Sequence, residues 1–155
     1  MSLVLADEAA TEAAGAALAQ LLRAGDLLIL TGPLGAGKTT FTRGLGRGLG
    51  VRGPIASPTF VIARLHPSQV GGPDLLHVDA YRLESAADVD DLDLDSDAAE
   101  SVTVVEWGKG RAEQLAAERL EVELTPIGRN GEARSISLTQ VGSRWAQVNL
   151  EEHLA

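Results

Sequence analysis

The sequence predicts an α/β fold of three layers, with a central, largely parallel sheet between helices and an extension of antiparallel strands near the C-terminus. Three observations predict it. The apolar run Leu27 to Thr31 leads through a glycine-rich loop into a helical pattern, the order expected of a parallel strand covered on both faces. Two further apolar runs, ending at Asp79 and Glu106, have the same character. Finally, Leu120 to Thr125 and Ser135 to Gln140 alternate apolar and polar residues around Asn130-Gly131, which is hairpin chemistry.

Taken in order, Leu3 to Leu5 is expected as a short edge strand. Glu8 to Ala24 is expected as a helix, because Ala14, Ala17, Leu18, Leu21 and Leu22 form one apolar stripe. Asp7 suits its N-cap and Gly25 its C′ position. After the strand Leu27 to Thr31, a second helix is expected from Gly37 to Leu49, with Phe41, Leu45 and Leu49 on one face. Gly44, Gly46 and Gly48 each cost that helix about 1 kcal/mol against alanine, so close packing on the sheet is expected to offset them.

Gly53-Pro54 and Ser57-Pro58 break the next segment into a loop. Strands are expected at Phe60 to Leu65 and at Leu75 to Ala80, with a surface loop from His66 to Asp74 between them. In the second of these strands Leu76, Val78 and Ala80 share one face, and His77, Asp79 and Tyr81 the other. Glu84 to Glu100 is acidic and is expected to form a short helix with a loop. A calcium loop starting at Asp91 is excluded, since its sixth residue is Ser96 and its twelfth Val102, where glycine and glutamate are required. Val102 to Trp107 is expected as a strand, Arg111 to Arg119 as a short helix, and Trp145 to Leu150 as a final strand. No repeat or linker divides the chain, so residues 1–155 are expected to form one domain.

Gly32 and Gly37-Lys38-Thr39 fit G-x-x-x-x-G-K-[ST], the phosphate-binding loop (P-loop) of nucleoside triphosphatases. Successive backbone N–H groups wrap a phosphate, and a Cβ at Gly35 or Gly37 is expected to block the approach. Lys38 reaches the terminal phosphates and the Thr39 hydroxyl suits Mg²⁺. The helix that follows adds unpaired N–H groups and a positive dipole end. Neither N-K-x-D nor a following D-x-x-G is present, which favours ATP over GTP.

Charge is unevenly distributed within a net −9. From Leu27 to Pro73 there are five basic residues and no acids, whereas Asp74 to Glu106 carries eleven acids against Arg82 alone. The positive island surrounds the phosphate loop and suits a polyanionic ligand. The acidic balance argues against direct gripping of nucleic acid. There is no apolar run of 18 residues and no basic-then-apolar leader in the first residues, so a cytoplasmic protein without membrane contact is expected. The absence of cysteine excludes disulfides and thiolate metal sites.

A phosphate loop needs a carboxylate at a neighbouring strand end, and Asp79 and Glu106 are the two on offer. Either could instead simply mark a strand end at the surface.

Together these motifs resemble the bacterial TsaE family, the small ATPase of tRNA threonylcarbamoyladenosine biosynthesis. The resemblance rests on GPLGAGKTTFTRGL (Gly32 to Leu45), SPTF (Ser57 to Phe60), H-x-D-x-Y-R (His77, Asp79, Tyr81, Arg82) and VVEWG (Val104 to Gly108), in order and spacing, over about Ala6 to Leu138. It implies that Leu34, Gly35, Ala36, Gly37, Lys38 and Thr39 bind the ATP phosphates with Thr40 beside them, and that Thr11 lies near the adenine. It further implies that Thr39 and Glu106 bind Mg²⁺, that Asp79 acts on the hydrolytic water or the metal shell, and that Ser57 and Thr59 belong to a nucleotide-sensing switch. The partners it implies are TsaB and TsaD, with which the family supports modification of the adenosine next to the anticodon in tRNAs reading ANN codons. The tRNA would be met only through that complex. The sequence departs from the family's common pattern at Pro33 (often Asp), Asp93 (often Gly) and Gly108 (often Pro).

Two other classes of function use the same loop. A small-molecule kinase would need an acceptor pocket and an arginine-bearing lid, for which Arg64 and Arg82 are candidates without a long insertion to carry them. A nucleotide-gated binding module would need the loop but not hydrolysis.

Overall fold

Every residue of β2 (Leu27–Thr31) except the last is buried, which explains why the run is apolar without alternation. In the computed structural model, which describes residues 1–56, 62–81, 83–90, 94–110 and 112–154, β2 lies at the centre of a seven-stranded sheet of order β1-β7-β6-β2-β5-β4-β3. The strands are β1 (Ser2–Leu5), β2, β3 (Ala63–His66), β4 (Asp74–Asp79), β5 (Ser101–Glu106), β6 (Arg119–Ile127) and β7 (Ala133–Val141). β4, β5, β2 and β6 run parallel to their neighbours in that group. β3, β7 and β1 pair antiparallel at the two edges. The mixed α/β class is as expected, with one addition: an antiparallel strand closes the far edge as well as the C-terminal side.

Alternation along each strand divides the core between the two faces. Leu28, Leu30, Leu75, Val104, Leu120 and Val122 face α1 (Glu8–Ala19) and α2 (Lys38–Leu49), meeting Leu18, Phe41 and Leu45 there. Leu27, Ile29, Leu76, Val78, Ala80 and Val105 form a second cluster on the opposite face with Leu94 and Ala112. Each fully buried large aliphatic or aromatic side chain contributes about 1.5–3 kcal/mol of transfer free energy. The acidic segment supplies α3 (Ala86–Asp90) and α4 (Asp95–Glu100), and the chain ends in α5 (Leu150–Leu154).

The Asp7 side chain caps α1 by accepting from the Ala10 N–H at 2.8 Å. The helix stops at Ala19 and not at Ala24, because Leu21 and Leu22 bond back three residues instead of four. Gly25 is therefore not a helix C′ residue; it has φ of +92° in the turn before β2, and its N–H donates to Ser101 O. Arg144 locks this turn from across the molecule. Its guanidinium grips the buried Asp26 carboxylate at 2.9 and 3.1 Å and donates to Leu21 O at 2.7 Å.

The same arginine lies 4.2 Å from the Trp145 ring. Its neighbours form a turn where a final strand was expected. The Gln140 amide donates to Trp145 O and Val148 O, taking carbonyls a ladder would need, and Trp145 itself is fully buried. The helix expected from Arg111 to Arg119 reduces to one 3-10 turn at Glu113–Leu115. The Glu113 carboxylate bonds the Gly110 N–H there, and Arg119 already belongs to β6. Arg111 itself lies outside the described residues, as do residues 60 and 61 of the strand expected from Phe60 to Leu65.

Gly44 and Gly48 of α2 pack against a helix, not the sheet. A Cβ on Gly44 would overlap the Glu12 carbonyl oxygen, one on Gly15 the Phe41 carbonyl oxygen, and one on Gly48 would lie 2.7 Å from Ala16 O. These three positions let the backbones of α1 and α2 touch. Gly46 faces the other way, toward the Ile55 side chain.

Candidate functional site

The C-terminal ends of β2, β4 and β5 converge, as expected for a ligand site in a parallel α/β sheet. The loop leaves β2 at Gly32, where any Cβ would overlap Leu124 O of the adjacent β6, so this position must be glycine. Pro33 has no N–H, but its carbonyl accepts from the Ala36 N–H at 3.1 Å and helps close the loop. Gly37 then forms the N-cap of α2 in a left-handed conformation, φ +97°, and no side chain among the described residues caps the helix. Gly35 has φ of +77°, and a Cβ there meets no atom of the described residues within 4 Å. The first turn of α2 therefore presents its N–H groups and dipole to the loop, as anion binding requires.

Lys38, the first residue of α2, is 6% exposed. Its ammonium donates to Gly32 O at 2.6 Å and Pro33 O at 3.0 Å, and lies 4.2 Å from the Trp107 ring centre. Burial lowers its pKa, and the charges of Glu106 and then Asp79 oppose that shift without cancelling it.

Asp79 and Glu106 are register partners across the parallel β4–β5 pair, 7% and 3% exposed. The reading that they merely mark surface ends is thereby removed. Asp79 Oδ1 accepts from the Tyr81 N–H at 2.9 Å. Glu106 Oε2 is 2.5 Å from His77 Nε2. Beyond Glu106 the chain turns through Trp107 at φ +62°, an uncommon conformation for a bulky residue. This sets the indole against Tyr81, ring centres 5.1 Å apart.

A cavity of about 530 Å³ joins these groups. Leu34, Gly35, Ala36, Gly37, Lys38, Thr39 and Thr40 line it, with Thr11, Asp79 and Glu106. Thr11 is 1% exposed and its hydroxyl donates to Asp7 O at 3.0 Å within α1. Ser57 and Thr59 lie outside the described residues.

Two residues were not singled out for the site by sequence. Arg134, at the start of β7, donates to Gly35 O at 3.1 Å and lines the cavity, so a second cation stands over the loop. No local spacing marks it; only the β6–β7 hairpin beside β2 delivers it. His77 was legible in part, since alternation already put it on the face of Asp79.

The donor set fits a metal–nucleotide pair. Among the described residues no three His, Asp or Glu side chains could cage a metal by themselves. Mg²⁺ is commonly held by one or two carboxylates together with phosphate oxygens, and Thr39, Glu106 and Asp79 share the cavity with the loop.

Comparison with known proteins bears on this arrangement. Residues 5–136 match the family model described as threonylcarbamoyl adenosine biosynthesis protein TsaE. A Streptomyces coelicolor protein named tRNA threonylcarbamoyladenosine biosynthesis protein TsaE is 55% identical over 88% of this chain and 94% of its own length. The Bacillus subtilis protein of the same name is 40% identical over 89% of this chain and 84% of its own. The crystal structure of Bacillus subtilis YdiB superposes with a TM-score of 0.78 at 33% identity, over 99% of this chain and 93% of that one. Among the described residues no helix is long and apolar enough to cross a membrane.

Proposed function

The chain belongs to the TsaE family of tRNA threonylcarbamoyladenosine biosynthesis, and we propose that it acts there as a Mg²⁺-dependent ATPase, in one cytoplasmic domain. The observation that carries this reading is the buried, register-matched pair Asp79 and Glu106 facing Lys38 across the phosphate-loop cavity. In this reading the backbone of Leu34 to Thr40 and the Lys38 ammonium bind the ATP phosphates. Thr39 and Glu106 hold Mg²⁺, which offsets charge on the phosphates, and Asp79 orients the attacking water. Thr11 borders the nucleoside end, and Ser57 and Thr59 act as the nucleotide-sensing switch. Arg134 supplies a second positive charge near the bound nucleotide.

Hydrolysis is coupled to TsaB and TsaD homologues, which hold the tRNA. The net charge of −9 agrees with that division, since the chain makes a poor polyanion binder outside its loop. ATPase measurement with and without a TsaB–TsaD pair tests the proposal. Slow turnover alone, stimulated by the pair, is expected; unchanged turnover would count against it. Transfer of labelled phosphate to a metabolite without release of free phosphate would favour a kinase instead.

Two substitutions divide the roles. Asp79→Asn should lower turnover by about 10²–10⁴-fold, the usual worth of a positioned acid or base, while ATP still binds. Arg134→Ala removes a cation that contributes to ATP binding and does no proton chemistry. It should weaken ATP affinity by about tenfold, the loss of one hydrogen bond to a charged group, as read by calorimetric titration.

A further inference from the structure

Glu106 is nearly fully buried, and an isolated carboxylate there would be costly. Lys38 lowers that cost only through space, because its hydrogen bonds go to the carbonyls of Gly32 and Pro33. Among the described residues the Glu106 side chain is hydrogen-bonded by His77, fully buried in β4, with Nε2 at 2.5 Å from Oε2. The register explains how they meet. Asp79 stands opposite Glu106 and His77 opposite Val104, so the imidazole reaches diagonally along one face of the β4–β5 pair.

The other ring nitrogen, Nδ1, is buried without a hydrogen-bond partner among the described residues. An apolar side chain of similar size would fill this place in β4 without that cost. With a carboxylate at Nε2 and no acceptor at Nδ1 among the described residues, the tautomer that satisfies this contact carries its hydrogen on Nε2. His77 therefore donates to one oxygen of Glu106, and the second oxygen remains for the cavity the residue lines.

We propose that His77 is a positioning residue that fixes the Glu106 carboxylate for Mg²⁺ by holding Oε2. This rests on the reading of Glu106 as the magnesium-binding carboxylate. Groups that orient metal ligands in this way change metal affinity by about 10–100-fold when removed.

The test is a calorimetric titration of the full chain with a non-hydrolysable ATP analogue, once with Mg²⁺ and once with EDTA. The readout is the ratio of the two affinities, with thermal unfolding as the check on folding. His77→Leu should reduce that ratio about 10–100-fold, and His77→Gln, whose amide nitrogen falls near the Nε2 position, should restore most of it. A folded His77→Leu variant with the parent's ratio overturns the inference, and so does a folded His77→Gln variant that loses as much as leucine. If the leucine variant does not fold, His77→Phe, which fills the ring's place without a donor, stands in for it under the same criteria. Glu106→Gln separates the two layers. If it lowers the ratio and His77→Leu does not, only the role of His77 fails; if Glu106→Gln keeps the parent's ratio, both fail.

Discussion

Lys38→Ala is expected to lower ATP affinity by up to about 100-fold and to remove measurable hydrolysis. The ammonium already sits inside the loop on the carbonyls of Gly32 and Pro33, held over Trp107, with Asp79 and Glu106 close enough to act on its charge. A hydrogen bond to a charged phosphate oxygen is worth about 1.5–3 kcal/mol, and the loss of about 3 kcal/mol is two decades of affinity. Calorimetric titration with ATP and Mg²⁺ measures it; an affinity within a few-fold of the parent would mean that the loop binds phosphate without its lysine.

Lys38→Met, which keeps most of the stem, should remove one pH dependence of stability. Burial lowers the lysine's folded-state pKa below its ordinary 10.5, so the charged form costs the native state stability at neutral pH. That cost disappears as pH rises through the lowered value toward 10.5, because the unfolded chain then holds more protons than the native one. The parent should therefore gain thermal stability relative to the methionine variant as pH rises from 7 toward 10.5.

The elements nearest this lysine were those most legible in the sequence, because each is specified locally. The run Leu27 to Thr31 shows no alternation since both faces are buried, and the glycine spacing after it encodes the loop's own turns. Alternation in Leu76, Val78 and Ala80 gave the second face of the sheet, and it also placed His77 with Asp79. What stayed illegible depends on residues distant in the chain. Arg134 reaches Gly35 across 99 positions, by way of a hairpin whose register no single segment reveals. The early end of α1 and the turn at Trp145 depend together on Arg144, which bonds Asp26 and Leu21 and stacks on the indole. Local pattern read both segments as regular structure, and a tertiary ion pair overrode it.

The helix glycines lie between these cases, and they yield the largest expected stability effect. Sequence reveals that Gly44, Gly46 and Gly48 weaken α2, but only the structure reveals which of them are needed. Gly44→Ala adds a methyl that overlaps Glu12 O, with Glu12 C at 2.8 Å and Ala16 N at 3.1 Å, all backbone of α1. Neither helix can yield locally without breaking its own ladder, so the helices must separate. Overpacking of rigid surroundings costs about 3 kcal/mol or more, which exceeds the roughly 1 kcal/mol that alanine adds to the helix. For a chain of this length that net loss of about 2 kcal/mol or more lowers the unfolding temperature by about 4–8 °C. Gly46→Ala adds the same methyl to the same helix, but it meets Cδ1 of Ile55, the free end of a flexible side chain. Its helix gain and its repacking cost are of similar size, so it should stay within about 1 kcal/mol of the parent. Thermal unfolding of the two variants side by side separates the explanations. Equal losses would mean that the glycines serve α2 alone, whereas a large loss at Gly44 and a small one at Gly46 identifies the contact with α1 as their reason. That contact also fixes α2 against α1, the helix whose Thr11 lines the same cavity as Lys38 and Thr39.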